Sequence, residues 1–247
     1  MNISILTLFP EMFSGPFTYS IVKRAQEKGT VTIDLVNIRD FATDNYKSVD
    51  DHPYGGGAGM ILRVDVVDRA LKETKLKIKN SKLKIKTILL DPQGTQYTQN
   101  KAATLSTLDH LIILVCGHYE GVDERIRQLV DEELSVGDYI TTGGEIPAMI
   151  VVDTVVRLLP GVLKHPEAIQ LESFSSSLNS KLSALNSLLE YPQYTRPEIY
   201  NGVRVPDVLL SGDHKKIDDW RENQAIIRTK KRRPDLVKRQ RDRVPKA

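Results

Sequence analysis

SVGDYITTGGEIPAMIVVDTVVRLLPGVL, residues 135–163, is the most informative stretch of this sequence for the fold. Its pattern predicts a short strand over residues 138–141, which leads into the glycine pair Gly143 and Gly144. An apolar helix follows and ends before Pro160. Adjacent glycines at the end of a buried strand let backbone amides and carbonyls approach a ligand closely, because no Cβ stands between them. The stretch therefore predicts a strand, a ligand-contacting loop and a helix in succession.

Two upstream loops have the same character, LLDPQG at residues 89–94 and CGHYEG at residues 116–121. Each follows a run rich in leucine and β-branched residues, at 87–91 and 111–116, as is typical of strands buried on both faces. Three such strand ends that meet in one crevice form the usual small-molecule site of an open α/β sheet.

The first half of the chain alternates predicted strands with predicted helices. Residues 3–8 and 31–37 are predicted as strands, and residues 19–28 and 65–74 as helices. Strands that alternate with helices favour a parallel sheet covered on both faces, so the predicted fold class is α/β.

Length and composition place few limits on function. The 247 residues suffice for one large domain and a small one, and 40% apolar with 27% charged residues is ordinary for a globular protein. No apolar run approaches the roughly 20 residues of a membrane span, and MNISILTLFPEMF at the start lacks the features of a signal peptide. The lone Cys116 excludes an internal disulfide framework and is consistent with a cytoplasmic location.

Positive charge is concentrated towards the end of the chain. Residues 228–246 include ten basic and two acidic side chains, and the lysine-rich residues 72–86 form a second basic segment. Clustered positive charge without an apolar face favours a nucleic acid over a membrane as partner. The simpler alternative is a solvated helix end.

A change of composition divides the chain. Residues 172–187 are rich in serine, leucine and asparagine and resemble a linker, and residues 214–228 are predicted as a helix with a narrow apolar face. We assign residues 1–165 to a large domain, 166–190 to a flexible linker and 191–247 to a small, basic helical domain.

Several familiar sites are not indicated. GGGAGM at residues 55–60 lacks the spacing of a phosphate-binding loop, and no GxGxxG motif stands between a strand and a helix. The five histidines show no metal-binding spacing, and no nucleophile–histidine–acid set can be identified. The acidic residues 131–133 are predicted as a solvated turn. The residues alone thus indicate a ligand-binding α/β domain joined to a basic module.

Longer motifs extend this interpretation. Taken in order, they resemble those of the bacterial tRNA (guanine-N1)-methyltransferases, which belong to the SPOUT superfamily, and the resemblance covers the chain from Asn2 to about Arg233. The motifs are LFPEMF at 8–13, DDHPYGGGAGM at 50–60, VCGHYEGVDER at 115–125, SVGDYITTGGEIPA at 135–148, YTRPE at 194–198 and VPDVLLSGDH at 205–214.

This resemblance implies a fold, a reaction and partners. The implied fold has the C-terminal part of the parallel sheet domain threaded into a deep trefoil knot, and the implied enzyme is a cytoplasmic homodimer without a membrane association. The implied reaction is transfer of a methyl group from S-adenosylmethionine to N1 of guanosine 37 in tRNA, where the preceding nucleotide is also guanosine. The large domain would bind the cofactor and the small domain would bind tRNA.

The resemblance also assigns cofactor contacts to the three glycine-containing loops. The residues at these positions are Leu90, Pro92, Gly117, Tyr119, Glu120, Gly121, Val136, Gly137, Asp138, Tyr139, Ile140, Thr141, Gly143, Gly144 and Pro147.

Two residues match catalytic positions of the family. Arg157 occupies the position of an arginine that stabilises charge on the guanine O6 atom. Glu172, in Glu172-Ser173-Phe174, stands where the family has an aspartate that removes the N1 proton, and Glu190 is the competing candidate for this base. The family also uses Mg²⁺, for which the sequence offers no binding signature.

The expected tRNA contacts lie in both domains. They are Arg24, Arg39, Asp50 and Asp51 in the large domain, and Lys230, Lys231, Arg232 and Arg233 in the small one.

The chain departs from the family at three places, and two other functions stay open. The base is a glutamate, the linker is longer than usual, and Tyr46 replaces a histidine of some relatives.

A SPOUT enzyme for another RNA base, or a non-catalytic RNA-binding relative, would share most of these motifs. The retained glycine loops argue against the non-catalytic alternative, because without a cofactor the Gly143-Gly144 pair has no physical purpose.

Overall fold

The computed structural model describes residues 1–77, 84–108, 110–165, 168–175 and 188–238. The chain divides into two compact units, Met1–Lys164 and His165–Ala247. Most of the serine-rich stretch predicted as a linker, much of the lysine-rich segment around residue 80, and the end of the basic tail lie outside the described residues. The assignment of residues 166–190 as a linker stays a prediction.

The first unit contains a five-stranded sheet, a two-stranded ribbon and helices between the strands. The strands are β1 Asn2–Thr7, β2 Thr32–Asn37, β3 Asp50–Asp51, β4 Ile61–Leu62, β5 Lys84–Gln96, β6 His110–Cys116 and β7 Glu132–Ser135. The helices are α1 Ser14–Phe17, α2 Ser20–Glu27, α3 Val64–Leu76, α4 Gln99–Ser106 and α5 Glu145–Val156, with 3₁₀ turns at Pro10–Phe13, Ile38–Phe41 and Glu124–Leu129.

The main sheet has the order β2-β1-β6-β5-β7, and all its neighbouring strands are parallel. In β6, Ile112 and Leu114 belong to the apolar cluster that includes α5, whereas Ile113 and Val115 belong to the cluster that includes α3. Because successive side chains of a strand point to opposite faces, both faces of the sheet are covered. The predicted parallel α/β architecture is therefore confirmed.

The predicted strand at residues 138–141 is wrong. The strand of this region is β7, six residues earlier, and residues 136–144 form the loop that leads to α5. The acidic residues 132 and 133, predicted to lie in a solvated turn, are half-buried in β7. Glu132 can take this place because Lys86 and Lys101 pair with its carboxylate, so that its side chain is only 18% exposed.

Strand β5 is longer than predicted and contains an irregularity that matters for the site. Leu90 and Thr95 both pair with Leu134 of β7, so the four residues between them leave the regular ladder. Such a bulge redirects side chains next to a site without ending the strand. The DPQG loop therefore projects from within β5 rather than from its end.

The second unit consists of short helices, one long helix and a hairpin. Its elements are α6 Ala168–Leu171, β8 Ile199–Tyr200, β9 Val203–Arg204, α7 Asp207–Leu210, α8 His214–Arg232 and α9 Pro234–Lys238. Helix α8 extends four residues beyond its predicted end, and its buried side chains are Ile217, Ala225 and Thr229. Asp213 caps its N-terminus, where its side chain accepts a hydrogen bond from the amide of Lys216. Within the described part of the chain, no helix has the length and apolarity needed to cross a membrane.

Candidate active site

A cleft with a volume of about 380 Å³ lies in the first unit, beside the bulge of β5 and the carboxyl ends of its neighbours β6 and β7. Its walls come from the bulge of β5 at residues 91–94, the loop after β6 at 117–121 and the loop after β7 at 136–144. These are the three loops that the sequence singled out, although the third follows a different strand from the one predicted.

The structure brings the predicted cofactor residues together with one exception. All of them line the cleft except Asp138, whose side chain is exposed on the loop after β7. Sequence reasoning missed further lining residues, among them Ile61, Asp91, Gln93, His118, Thr142 and Arg127. Several are sequence neighbours of predicted contacts, which is the only signal that could have identified them.

Gly144 is the point at which two cleft loops touch. Its amide donates a hydrogen bond of 2.7 Å to the carbonyl oxygen of Gly117, and the neighbouring residues His118 and Gly143 form an isolated antiparallel bridge. A Cβ on Gly144 would lie 2.6 Å from the Cα of Cys116, closer than real contacts allow. The glycine is thus required by the close approach of two backbones.

Hydrogen bonds between polar groups of the loop after β7 stabilise its conformation. The amide of Gly137 donates to the hydroxyl of Ser135 at 3.3 Å, and the hydroxyl of Thr141 donates to the carbonyl of Gly143 at 2.8 Å. Local side-chain hydrogen bonds of this kind compete with a continuing strand. They explain why the sequence after Ser135 forms a loop.

The loop after β6 contains a strained residue. Tyr119 has a φ of +62°, a region that non-glycine residues seldom adopt, and its hydroxyl accepts a hydrogen bond of 3.3 Å from the guanidinium of Arg39. Such backbone conformations persist where surrounding contacts enforce them, often at binding sites. Arg39, expected to face tRNA, therefore contacts a lining residue of the cleft.

Arg127 organises the charged side of the cleft. Its guanidinium donates to Glu124 at 2.8 Å and to Asp91 at 3.4 Å, and it also pairs with Glu133. Although burial acts to lower it, the hydrogen bond to Glu124 and the charges of Asp91 and Glu124 raise the pKa of the Arg127 guanidinium above its usual value. The residue thus ties the β5 bulge, the Glu124–Leu129 turn and β7 together.

A buried carboxylate lies beneath the cleft. Glu145 is 1% exposed and its Oε1 accepts a hydrogen bond of 2.7 Å from Thr7, while its Oε2 lies 3.7 Å from Nδ1 of His118. Burial, and secondarily the charge of Glu145, raise the pKa of the Cys116 thiol well above its usual value. Cys116 is therefore a packing residue rather than a nucleophile.

The predicted catalytic residues lie in different units. Arg157 follows the last residue of α5, where a cation is favoured by the helix dipole. Glu172 belongs to the second unit and directly follows α6, and the competing Glu190 lies in the same unit.

The predicted tRNA contacts lie at the surface or at element ends. Arg24 is exposed on α2, Asp50 and Asp51 form β3, and Lys230, Lys231 and Arg232 occupy the last turn of α8. Arg233 follows that helix and pairs with Asp235 at 2.7 Å. Among the described residues, no group of three histidine, cysteine or acidic side chains is placed to hold a metal ion.

Comparison with known proteins identifies the family. Residues 1–239 match the model of the family described as tRNA (guanine-1)-methyltransferase TrmD. The chain is 54% identical to a tRNA (guanine-N(1)-)-methyltransferase of Carboxydothermus hydrogenoformans over 96% of this chain and 88% of the relative. Proteins of the same name from Pelotomaculum thermopropionicum and Dictyoglomus turgidum are 51% and 48% identical, over 96% and 97% of this chain and 90% and 91% of theirs. This chain therefore belongs to the tRNA (guanine-1)-methyltransferase family.

Proposed function

We propose that this enzyme transfers a methyl group from S-adenosylmethionine to N1 of guanosine 37 in tRNA, where guanosine also precedes the target. The observation that carries the proposal is the cleft: the residues that family resemblance assigns to the cofactor, Asp138 apart, line one cavity at the carboxyl edge of the sheet. Ligands of open α/β sheets bind at this edge.

The cleft fits a ligand that is held mainly by backbone groups. At Gly144 and at Gly94 an added Cβ would meet backbone atoms at 2.6 Å and 2.5 Å, so the loops can approach one another only because side chains are absent. The walls combine apolar groups such as Leu90 and Ile140 with backbone amides and a few charged side chains. This mixture suits an adenine ring and a zwitterionic tail.

The chemistry requires alignment and one proton transfer. When bound, S-adenosylmethionine supplies an electrophilic methyl group, so the protein's main task is to align this group with N1. Guanine N1 holds a proton at neutral pH, and a carboxylate within hydrogen-bond reach can remove it. We assign this proton transfer to Glu172. Negative charge then develops on O6, where the Arg157 guanidinium would stabilise it.

The basic end of α8 is the proposed tRNA-binding surface. Three consecutive cations, Lys230, Lys231 and Arg232, lie in its last turn, and Arg233 follows. Such a cluster neutralises phosphates without reading bases. Recognition of guanosine would then come from the nucleotide contacts of the first unit, including Arg24, Arg39 and Asp50.

Other family properties belong to the same proposal. They are the deep trefoil knot formed by the cleft loops, the homodimer, the cytoplasmic location and the small helical tRNA-binding domain. The family also uses Mg²⁺, to which we assign no ligands and no step here.

Two measurements on the unaltered enzyme test the proposed reaction. Mapping the methylated position on bulk tRNA separates N1 of guanosine 37 from another RNA base, and calorimetric binding of S-adenosylmethionine separates an enzyme from a non-catalytic relative. Glu172→Gln should abolish methylation and leave cofactor affinity unchanged, because the amide cannot accept the N1 proton. Glu190→Gln should lower the rate of methylation less than Glu172→Gln does. Near-native turnover of Glu172→Gln would instead place the base elsewhere, with Glu190 as the first candidate.

A further inference from the structure

We propose that Thr229, buried inside helix α8, is a positioning residue that holds the segment bearing Glu172. This inference rests on the proposed function, since it presumes that Glu172 removes the N1 proton. Thr229 is fully buried. It would act through a series of hydrogen bonds within the second unit.

The first step of the series joins α8 to residues 188–190. The Thr229 hydroxyl donates a hydrogen bond of 2.7 Å to the carbonyl oxygen of Ala225, one helical turn earlier. The same hydroxyl oxygen accepts a hydrogen bond of 2.8 Å from the amide of Leu189. Because the bond to Ala225 fixes the orientation of the hydroxyl, its lone pair is directed at the incoming amide.

The second step joins residues 188–190 to the segment that follows Glu172. The amide of Glu190 donates to the hydroxyl of Ser173 at 2.9 Å, and the amide of Phe174 donates to the carbonyl of Leu188 at 2.8 Å. Leu188 is 1% exposed, so this end of the connection is anchored in apolar packing. Two hydrogen bonds in opposite directions thus fix Ser173 and Phe174, the two residues that follow Glu172.

The backbone of the segment is itself constrained. Phe174 has a φ of +71°, and the amide of Ser175 donates to the carbonyl of Glu172 at 3.1 Å. A non-glycine residue keeps such a conformation only where neighbouring contacts enforce it. The two bonds to Leu188 and Glu190 are contacts of this kind.

Charged residues at the end of α8 and directly after it contact the same segments. Arg228 donates to the carbonyl of Glu190 at 3.3 Å, and the guanidinium of Arg233 lies 5.8 Å from the ring centre of Phe174. Thr229 and Arg233 therefore flank the cationic last turn and both connect it to the Glu172 segment. Binding of tRNA phosphates to the cations of this turn is thereby linked, through one helix, to the position of the Glu172 carboxylate.

Thr229→Val tests the inference with little change of shape. Valine retains the branched side chain but offers no acceptor to the Leu189 amide. Displacement of a catalytic group by about 1 Å can cost on the order of 10²-fold in rate. We expect Thr229→Val to lower kcat about 10-fold to 100-fold, with unchanged KM for tRNA and unchanged cofactor affinity. Thr229→Ser, which retains the hydroxyl, should restore most of the rate.

The control and a second variant address folding. Thr104→Val removes an exposed hydroxyl that likewise bonds to a carbonyl one turn earlier, at Asn100 in α4, but accepts no long-range amide from the described residues, and it should leave kcat unchanged. Ser173→Ala removes the acceptor of the Glu190 amide and should reproduce part of the kcat loss even if Thr229→Val folds poorly. Equal losses in kcat for Thr104→Val and Thr229→Val would overturn the inference.

A double variant tests the series, and Glu172→Gln separates this inference from the proposed function. If Thr229 and Ser173 act in one series on Glu172, Thr229→Val combined with Ser173→Ala should be no slower than Thr229→Val alone, whereas independent effects would multiply. Multiplied effects, or native kcat for Thr229→Val, would overturn the positioning role. Native kcat for Glu172→Gln alone would overturn the assignment of the base instead, so the two failures are distinguishable.

Discussion

Gly144 shows, at the scale of a single residue, what the sequence could reveal about the site. Its φ of −76° is open to any residue, so the glycine is required only by the backbone of Cys116 and Gly117. The sequence identified the Gly143-Gly144 pair as part of a ligand loop, although the strand predicted directly before the pair is wrong. Arg127 and Asp91 could not be identified from the sequence, because the ion pair that places them at the cleft joins residues 36 positions apart.

We expect Gly144→Ala to lower the free energy of unfolding by about 1–3 kcal/mol, because the new methyl group overpacks a backbone contact. Cofactor affinity should fall with it, since the loops at residues 117–121 and 136–144 must separate. Gly15→Ala is the matched control: Gly15 lies in α1 with nothing within 4 Å of an added Cβ. Thermal unfolding and cofactor titration of both variants would check this, and equal behaviour of the two would contradict it.

At the scale of elements, patterns of apolar residues predicted most strands but misplaced β7. The apolar residues 139–141 resemble a strand, whereas the acidic β7 does not. Tertiary contacts decide the outcome, because β7 completes its hydrogen bonds with β5 and its Glu132 pairs with two lysines. The bulge in β5 was equally hidden, since it arises from pairing with β7 rather than from the sequence of β5 alone.

The elements around the cleft depend on Arg127. Its side chain is 15% exposed and that of Asp91 is 10% exposed, so its removal leaves carboxylates in a largely buried place without a counter-charge. We expect Arg127→Met to destabilise the protein by about 3 kcal/mol. Denaturant unfolding would measure the change, and cofactor affinity should decrease as the β5 bulge loosens.

Arg125→Met provides the control on the same 3₁₀ turn. Arg125 pairs with Asp123, but its side chain is 65% exposed, and exposed ion pairs contribute little to stability. If the unfolding midpoints of Arg125→Met and Arg127→Met shift equally, burial of the Arg127 ion pairs does not account for their contribution to stability.

At the scale of the whole molecule, the sequence indicated a cleft-bearing part and a basic part, and the chain divides into two compact units at Lys164. The hydrogen-bonded support of the Glu172 segment could not be predicted. It depends on a threonine in α8, 57 positions after Glu172, and nothing in the local pattern distinguishes Thr229 from any other helical threonine. Long-range contacts of this kind are set by the fold.

The basic end of α8 should dominate the salt dependence of tRNA binding. Each phosphate contact contributes a slope of roughly −0.7 to −0.9 in log K against log salt, because bound counterions are released. Replacing Lys230, Lys231, Arg232 and Arg233 together with alanine should therefore flatten the slope by up to about 3.6 and leave cofactor binding intact. Binding assays over a salt series would measure this.

A control from the other end of the same helix makes the result specific. Lys215→Ala with Lys216→Ala removes two exposed cations from the first turn of α8, where Lys216 pairs with Asp213 at 3.0 Å. This pair of changes should retain most of the slope, because the cations next to the Glu172 segment remain. If the slope persists in the fourfold variant, tRNA does not contact the last turn of α8, and the link between phosphate binding and Glu172 is lost with it.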